Sequence, residues 1–358
     1  MSKPHFLGLP EGDIKYVVSK VGANRWRQLS GKRLLLTGCT GFIGKWLLAS
    51  VLEAMEAFEF ELEVVAVSRN PRVFWAEHTG LEAHPNISWI KYDIRDLKVW
   101  GIEPCGFAIH AATDVVATSR ARDIFETCVI GTQRVIDLVD DGKGGGRALL
   151  LSSGAVYGSP KLNMLDFDED WHGAPDPLSP SSAYGEGKRA SELIFAMAAE
   201  ERPSLSYAIA RCFAFVGPHL PLDKHFAIGN FIRAALRNED ITINGDGTPI
   251  RSYLYASDLA HWLWVMLFEA PSARAYNVGC EESISIGALA SRVNSVLGGQ
   301  GSINIISKPD PEACPSVYVP SVDRIKNELG LSPDIGLDEA IKRTAEWVKN
   351  YNKFEVLR

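Results

Sequence analysis

Tyr184-Gly185-Glu186-Gly187-Lys188 sets a phenol and an amine four residues apart, a spacing that puts both on one face of a helix. A phenol with a pKa of about 10 is a poor base at neutral pH. A neighbouring positive charge favours the phenolate, and a drop of about three units corresponds to about 4 kcal/mol of differential interaction. Such a pair is suited to pass a proton to or from a hydroxyl or a carbonyl. Upstream, Leu151-Ser152-Ser153-Gly154-Ala155-Val156-Tyr157-Gly158 presents hydroxyls just after an apolar run, and a hydroxyl can steady an oxygen on which charge develops. Alone, a Tyr-x-x-x-Lys pair is ordinary helix surface. Its weight comes from what precedes it.

What precedes it is a phosphate-cradling turn. Thr37-Gly38-Cys39-Thr40-Gly41-Phe42-Ile43-Gly44 follows the apolar run 32–37 and leads into helical apolar spacing over 45–58. In a strand–turn–helix, the first glycine permits the tight turn. The second lets the backbone approach a pyrophosphate, and the third lets helix and strand pack closely. Free N–H groups at the helix start then face the phosphates. A dinucleotide is the expected ligand. The second strand ends in Ser68-Arg69-Asn70, where an NAD enzyme usually carries an acid for the ribose hydroxyl. A guanidinium there suits a 2′-phosphate, so the reading favours NADP(H), with NAD(H) as the alternative.

The elements needed to position these groups are legible as apolar runs. Strands are predicted at 32–37, 63–68, 87–92, 107–112, 147–152 and 206–213. Helices are predicted at 45–58, 129–139, 184–200, 226–236, 257–268, 286–297 and 337–349. Short apolar runs alternating with helical segments predict an α/β chain with a Rossmann-type doubly wound parallel sheet, joined to a smaller mixed α/β C-terminal substrate domain. The expected division is a polar N-terminal extension over 1–30 with an amphipathic turn or two around Ile14, Tyr16, Val17 and Val18, a dinucleotide-binding domain over 31–178 to which later segments return, and a substrate domain over 179–358. Ligands of such sheets bind at the C-terminal edge, where the Ser152–Ser153 pair falls.

Composition narrows the function classes. The 358 residues carry 37 Lys+Arg against 44 Asp+Glu, a formal charge of −7, which speaks against a phosphate-tracking nucleic-acid binder. The six cysteines (39, 105, 128, 212, 280 and 314) form no CxxC pair, so neither a structural zinc site nor a disulfide framework is expected, and no metal is assigned. The first residues lack the apolar run of a signal peptide, and no stretch reaches eighteen uncharged apolar residues. A cytoplasmic protein without a membrane partner is the expectation.

The chain resembles an extended short-chain dehydrogenase/reductase of the nucleotide-sugar epimerase/dehydratase/reductase group. The resemblance covers about residues 31–350 and rests on TGCTGFIG, YDIRD (92–96), HAATD (110–114), SSGAVYG (152–158), YGEGK (184–188), RCFAFVGP (211–218) and RSYLYASDLA (251–260). It implies that Tyr184 exchanges the proton with the sugar, that Lys188 holds the nicotinamide ribose and tunes Tyr184, and that Ser153 hydrogen-bonds the reacting oxygen. It places Asp93 and Ile94 at the adenine, and Ala111 and Ala112 beside the cofactor. It turns Thr113, Asp114 and Val115 toward the hexose. It assigns Arg251 to the diphosphate of a nucleotide-diphosphate sugar, with Asn230 and Lys308 as further substrate contacts. A homodimer through segments around 120–140 and 184–200 is also implied.

Departures from the group decide the reaction. Members that dehydrate a 6-hydroxyl carry an acidic pair after the catalytic hydroxyl, and many sugar-acid decarboxylases carry one acid there. This chain has Gly154-Ala155, neither able to move a proton. Cys128 and Ala214 stand where the group often has asparagine. What remains is hydride transfer with one proton relay. The expectation is an NADP(H)-dependent reductase of a nucleotide-linked 4-keto-6-deoxy sugar, serving surface polysaccharide or glycoside biosynthesis. A 4-epimerase with tightly bound NAD is the nearest rival. A catalytically silent dinucleotide-binding regulator is the third reading, against which Ser153, Tyr184 and Lys188 speak.

Overall fold

The computed structural model describes residues 7–113, 120–140, 142, 145–160, 164–310 and 314–351. These fall into two compact units. The first opens with helix α1 (Glu11–Val21) and the single turn α2 (Ala23–Trp26). It continues through β1 (Lys32–Thr37), α3 (Phe42–Phe58), β2 (Leu62–Ser68), α4 (Pro71–Glu77), β3 (Ile87–Lys91) and β4 (Phe107–His110). Then come α5 (Ala121–Leu138), β5 (Gly146–Ser153), α6 (Ala183–Glu201) and β6 (Leu205–Cys212). The chain next forms β7 (Phe215–Val216), α7 (Ala227–Arg237), β8 (Ile241–Ile243), β9 (Ile250–Arg251), β10 (Leu254–Tyr255), α8 (Ala256–Glu269) and β11 (Arg274–Val278), followed by β12 (Ile284–Ser285), α9 (Ile286–Leu297), β13 (Ile303–Ile305), β14 (Val317–Tyr318), α10 (Asp323–Leu329) and α11 (Leu337–Tyr351).

Seven strands form one sheet in the order β11-β6-β5-β4-β1-β2-β3. The pairings from β3 across to β6 are parallel. Strands of such a sheet are covered on both faces, so they read as continuous apolar runs; Leu34, Leu35 and Leu36 of β1 and Val64, Val65 and Ala66 of β2 are fully buried. Chain order reverses between β1 and β4, which opens a crevice at the C-terminal edge for a ligand. This is the Rossmann-type doubly wound fold. Among the described residues, no helix is long and apolar enough to cross a membrane.

Two boundaries differ from the sequence reading. Residues 7–30 are not a polar appendage: Leu7, Leu9, Ile14, Val17, Trp26 and Leu29 are fully buried. Trp26 packs 4.7 Å from the Trp264 ring, and Arg25 forms a bidentate pair with Glu269 at 2.7 and 2.8 Å. The amphipathic spacing at Ile14, Val17 and Val18 is one face of α1, and packing on α3 buries it. Nor does the division fall at 178/179. The sheet-bearing unit also holds Ala174–Cys212 and Ala260–Tyr276, and the second unit comprises Ser159–Gly173, Phe213–Leu259 and Asn277–Arg358. The reason is pairing: β6 registers on β5 from Leu205↔Gly146 to Cys212↔Ser153, so α6 and β6 belong with the sheet.

Candidate active site

The glycine turn joins β1 to α3, and its glycines do different work. Gly38 has φ +69°, and a Cβ there would lie 2.6 Å from the Ala111 carbonyl oxygen. A Cβ on Gly44 would lie 2.1 Å from the Gly38 oxygen, whereas one on Gly41 would meet that oxygen at 3.4 Å. Gly38 therefore lets the turn press on the backbone beyond β4, and Gly44 lets α3 press on the turn itself. Gly41, by contrast, has only ordinary contact at its Cβ position and is the cap residue of α3, whose first N–H groups have no partner within the helix.

The turn borders a cavity of about 530 Å³, within the range of cofactor sites. Gly38, Thr40 and Gly41 line it, as do Ser68, Arg69 and Asn70 at the end of β2, Asp93 and Ile94, and Ala111, Ala112 and Thr113 beyond β4. Val67, Val73, Phe74, Glu77, Tyr92 and Thr127 complete the wall, and no motif in the sequence marks them; their one signal is their place at the end of β2, on α4, after β3 or in the first turns of α5. Thr37, Phe42, Ile43 and Gly44 do not line the cavity. Thr37 is fully buried behind it, accepting hydrogen bonds from the Ala111 and Ala112 N–H groups at 3.1 and 3.2 Å. With both lone pairs engaged, its hydroxyl donates to Nδ1 of His110 at 2.8 Å. His110 is thus a neutral imidazole, and burial depresses its pKa to about 3.

The two acids on the wall already face cations. Asp93 accepts from Nε and Nη2 of Arg95, both at 2.9 Å, and from the Arg95 N–H at 3.0 Å. Those hydrogen bonds hold its carboxyl below the ordinary range. Glu77 lies 3.8 Å from Lys45. A turn in which Gly38 and Gly44 admit no side chain, a cavity wall that includes the cap residue of α3 and an arginine at the end of β2 fit a dinucleotide.

Ser153, Tyr184 and Lys188, the residues expected to transfer the proton, flank the place where α6 is seated on the turn after β5. A Cβ at Gly185 would lie 2.7 Å from the Ala155 carbonyl oxygen, so glycine lets the helix start touch that turn. Ser153 is buried and its Oγ accepts from the Ala155 N–H at 3.1 Å. Lys188 is also buried; its Nζ donates to the Leu151 carbonyl at 2.6 Å and to Thr113 Oγ1 at 2.9 Å. It lies 6.0 Å from the centroid of the Tyr184 ring. Burial lowers the Lys188 pKa, opposed by Cys128, Cys212 and Glu192. Thr113 connects this cluster to the cavity it lines. The Cys128 thiol, in place of asparagine, lies 4.0 Å from the Thr113 hydroxyl.

Asp114 and Val115 lie outside the described residues. In the second unit, Asn230 is on α7 with its amide donating to the Lys224 carbonyl at 2.7 Å. Arg251 ends β9; its Nη1 donates to the Ile250 and Ser316 carbonyls at 2.7 and 2.9 Å, and its guanidinium stands 5.9 Å from the Tyr318 ring centroid. Lys308 is exposed beyond β13. Among the described residues, no cluster of histidine, cysteine and carboxylate suits a metal ion.

A Rossmann sheet with a glycine turn and a Ser, Tyr and Lys set at its C-terminal edge defines an extended short-chain dehydrogenase/reductase. More narrowly, the chain belongs to the NAD dependent epimerase/dehydratase family, whose model matches residues 34–279. It is 27% identical over 321 residues to UDP-glucuronic acid decarboxylase 1 of Xenopus tropicalis, covering 89% of this chain and 72% of that protein. Among solved structures, MoeE5 in complex with UDP-glucuronic acid and NAD is 27% identical with a TM-score of 0.69, covering 89% of this chain and 99% of that one. The UDP-glucose 4-epimerase of Thermotoga maritima has the same fold, with a TM-score of 0.73 at 20% identity over 89% of this chain and 99% of its own. The chain is an NAD(P)-dependent enzyme of the nucleotide-sugar type.

Proposed function

We propose that the chain is an NADP(H)-dependent reductase of a nucleotide-linked 4-keto-6-deoxy sugar. The observation that carries this reading is the pairing of an intact Ser153, Tyr184 and Lys188 set with a Gly154-Ala155 turn that has no acid for dehydration or decarboxylation. UDP-glucuronic acid decarboxylases are among the relatives, yet the acid that the family resemblance leads one to expect after the catalytic hydroxyl has no counterpart in Gly154-Ala155. Bound nicotinamide dinucleotide supplies the hydride. The residues to hold it are Gly38, Thr40, Gly41, Asp93, Ala111 and Ala112, with Ser68 and Arg69 at the adenosine 2′-phosphate.

Tyr184 donates its phenolic proton to the carbonyl oxygen of the sugar as that oxygen gains charge. Ser153 donates a second hydrogen bond to the same oxygen. Lys188, fixed by the Leu151 carbonyl and Thr113, stabilises the phenolate left behind and contacts the nicotinamide ribose. Arg251 meets the diphosphate of a nucleotide sugar, with Asn230 and Lys308 as further substrate contacts. NADPH oxidation that depends on a 4-keto-6-deoxy nucleotide sugar, and falls at least about 100-fold in Tyr184→Phe, is the expected result. Protein purified with NAD+ bound, interconverting C4 epimers without consuming NADPH, would replace this reading with a 4-epimerase. That alternative draws support from the epimerase of the same fold.

A further inference from the structure

A second polar cluster stands one helical turn beyond Lys188. Ser152 Oγ donates to Glu192 Oε1 at 2.5 Å. Arg211 of β6 holds the same carboxylate through Nε at 3.1 Å and Nη2 at 2.8 Å, and its Nη1 donates to the Tyr157 hydroxyl at 3.0 Å. Both ionic side chains are largely buried, at 13% and 16% exposure. Tyr157 is 1% exposed, with the guanidinium 5.0 Å from its ring centroid.

The placement follows from topology. Ser152 registers on Arg211 across the β5–β6 pairing. Ser152 and Tyr157 bracket Ser153, one just before it and the other at the end of the turn Gly154–Tyr157. Glu192 follows Lys188 by four residues and Tyr184 by eight, on one face of α6. The network thus closes a ring: Ser152 to Glu192, Glu192 to Arg211, Arg211 to Tyr157, and the chain from Tyr157 back through Ser153. It ties the helix carrying phenol and amine to the turn carrying the hydroxyl. Breaking a buried ion pair leaves an uncompensated charge, so such a pair transmits any change in charge to groups nearby.

We propose that Glu192 and Arg211 are positioning residues for the Ser153, Tyr184 and Lys188 set, fixing its geometry and keeping the charge beside Lys188 balanced. Glu192→Gln leaves Arg211 as a net positive charge beside Lys188. Arg211→Met leaves Glu192 as a net negative charge. An added positive charge lowers both apparent pKa values of the coupled Tyr184–Lys188 pair, and an added negative charge raises both. A general loosening of the site would instead move the midpoints of both variants the same way.

The inference rests on the Ser153, Tyr184 and Lys188 reading, and its test is built to fail separately from it. The ionisation of Tyr184 is followed by ultraviolet difference titration of the full-length protein, subtracting Tyr184→Phe in each background. Eight residues of helix span about 12 Å. One unpaired charge at that distance, at an effective dielectric of about 20, moves the midpoint by about half a unit to one unit. The expected result is a shift down in Glu192→Gln and up in Arg211→Met. Midpoints that stay put, or move the same way in both variants, overturn the proposal. Ser152→Ala, which removes one hydrogen bond and no charge, should keep the parent midpoint while lowering kcat about tenfold with KM for both substrates held within about twofold. An unchanged kcat in Ser152→Ala overturns the geometric half. A fully active Tyr184→Phe would instead sink the reading beneath it, whatever the titrations show.

Discussion

The glycine turn and the β5–α6 junction sit in one unit, yet they are built on opposite principles. The turn is shaped by backbone: Gly38 and Gly44 admit no Cβ because carbonyl oxygens stand 2.6 and 2.1 Å from where it would be. The junction is shaped by side chains: Lys188, Thr113, Glu192, Arg211, Ser152 and Tyr157 hold one another by hydrogen bonds and charge. The first should be sensitive to volume and indifferent to charge, the second the reverse. Phosphates need only close approach and N–H donors. A proton relay needs a set distance and a tuned potential.

The largest expected effect tests the volume half. Gly44→Ala forces the Gly38 carbonyl or α3 to shift, which should cost about 3 kcal/mol or more. Gly41→Ala, where the nearest contact is an ordinary 3.4 Å, should leave urea stability within about 0.5 kcal/mol. Equal losses in the two variants would mean that the turn is not backbone-limited.

The same contrast explains what could be read from sequence. The glycine turn announces itself because only glycine meets its demands, and the apolar runs on either side mark strand and helix. Tyr184 and Lys188 were legible by spacing. Glu192 was not: it is one more acid on a charged helix until β6 delivers Arg211 opposite it, nineteen residues away. Thr113, expected at the sugar, also accepts through Oγ1 from Lys188, a bond between the segment after β4 and α6 that no local pattern encodes. Thr37 was read as a cofactor contact. It ties β1 to β4 instead, because a hydroxyl with two N–H donors and one acceptor around it has no capacity left. Residues 7–30 show only an amphipathic turn around Ile14, Tyr16, Val17 and Val18 in the sequence, since their partners on α3 and α8 lie far along the chain.

A mid-sized effect concerns pH at the boundary between the two regions. His110 is buried, and its pKa falls from an ordinary 6.5 to about 3. The unfolded chain therefore binds more protons than the folded one between those values. Stability contributed by the neutral ring is full above about pH 6.5 and is lost as pH falls toward 3, about 2 kcal/mol of it by pH 5. Protonation would also place a donor against the Thr37 hydroxyl, which has its own proton there. His78, buried and lowered to about 4, adds a slope of the same sign. The comparison of parent with His110→Gln isolates the first term: denaturant midpoints between pH 5 and 6.5 should fall more steeply in the parent. Parallel slopes would show that His110 is charged in the folded state.

The smallest effect asks whether charge matters anywhere on the backbone-built side. Arg69 lines the cavity at the end of β2, and the two acids on the wall, Asp93 and Glu77, stand beside Arg95 and Lys45. If Arg69 meets a 2′-phosphate, Arg69→Ala should weaken NADP+ binding about tenfold, near 1.4 kcal/mol. NAD+ binding should stay within about twofold. Because the contact is ionic and exposed, the NADP+ preference should also shrink with added salt in the parent and depend less on salt in the variant. Calorimetric titration with both dinucleotides at two ionic strengths measures this directly. Equal affinity for the two in the parent would leave the cavity a site of shape alone and remove the argument from Arg69 for a consumed, reduced cofactor, shifting the balance toward an enzyme that keeps and recycles NAD+.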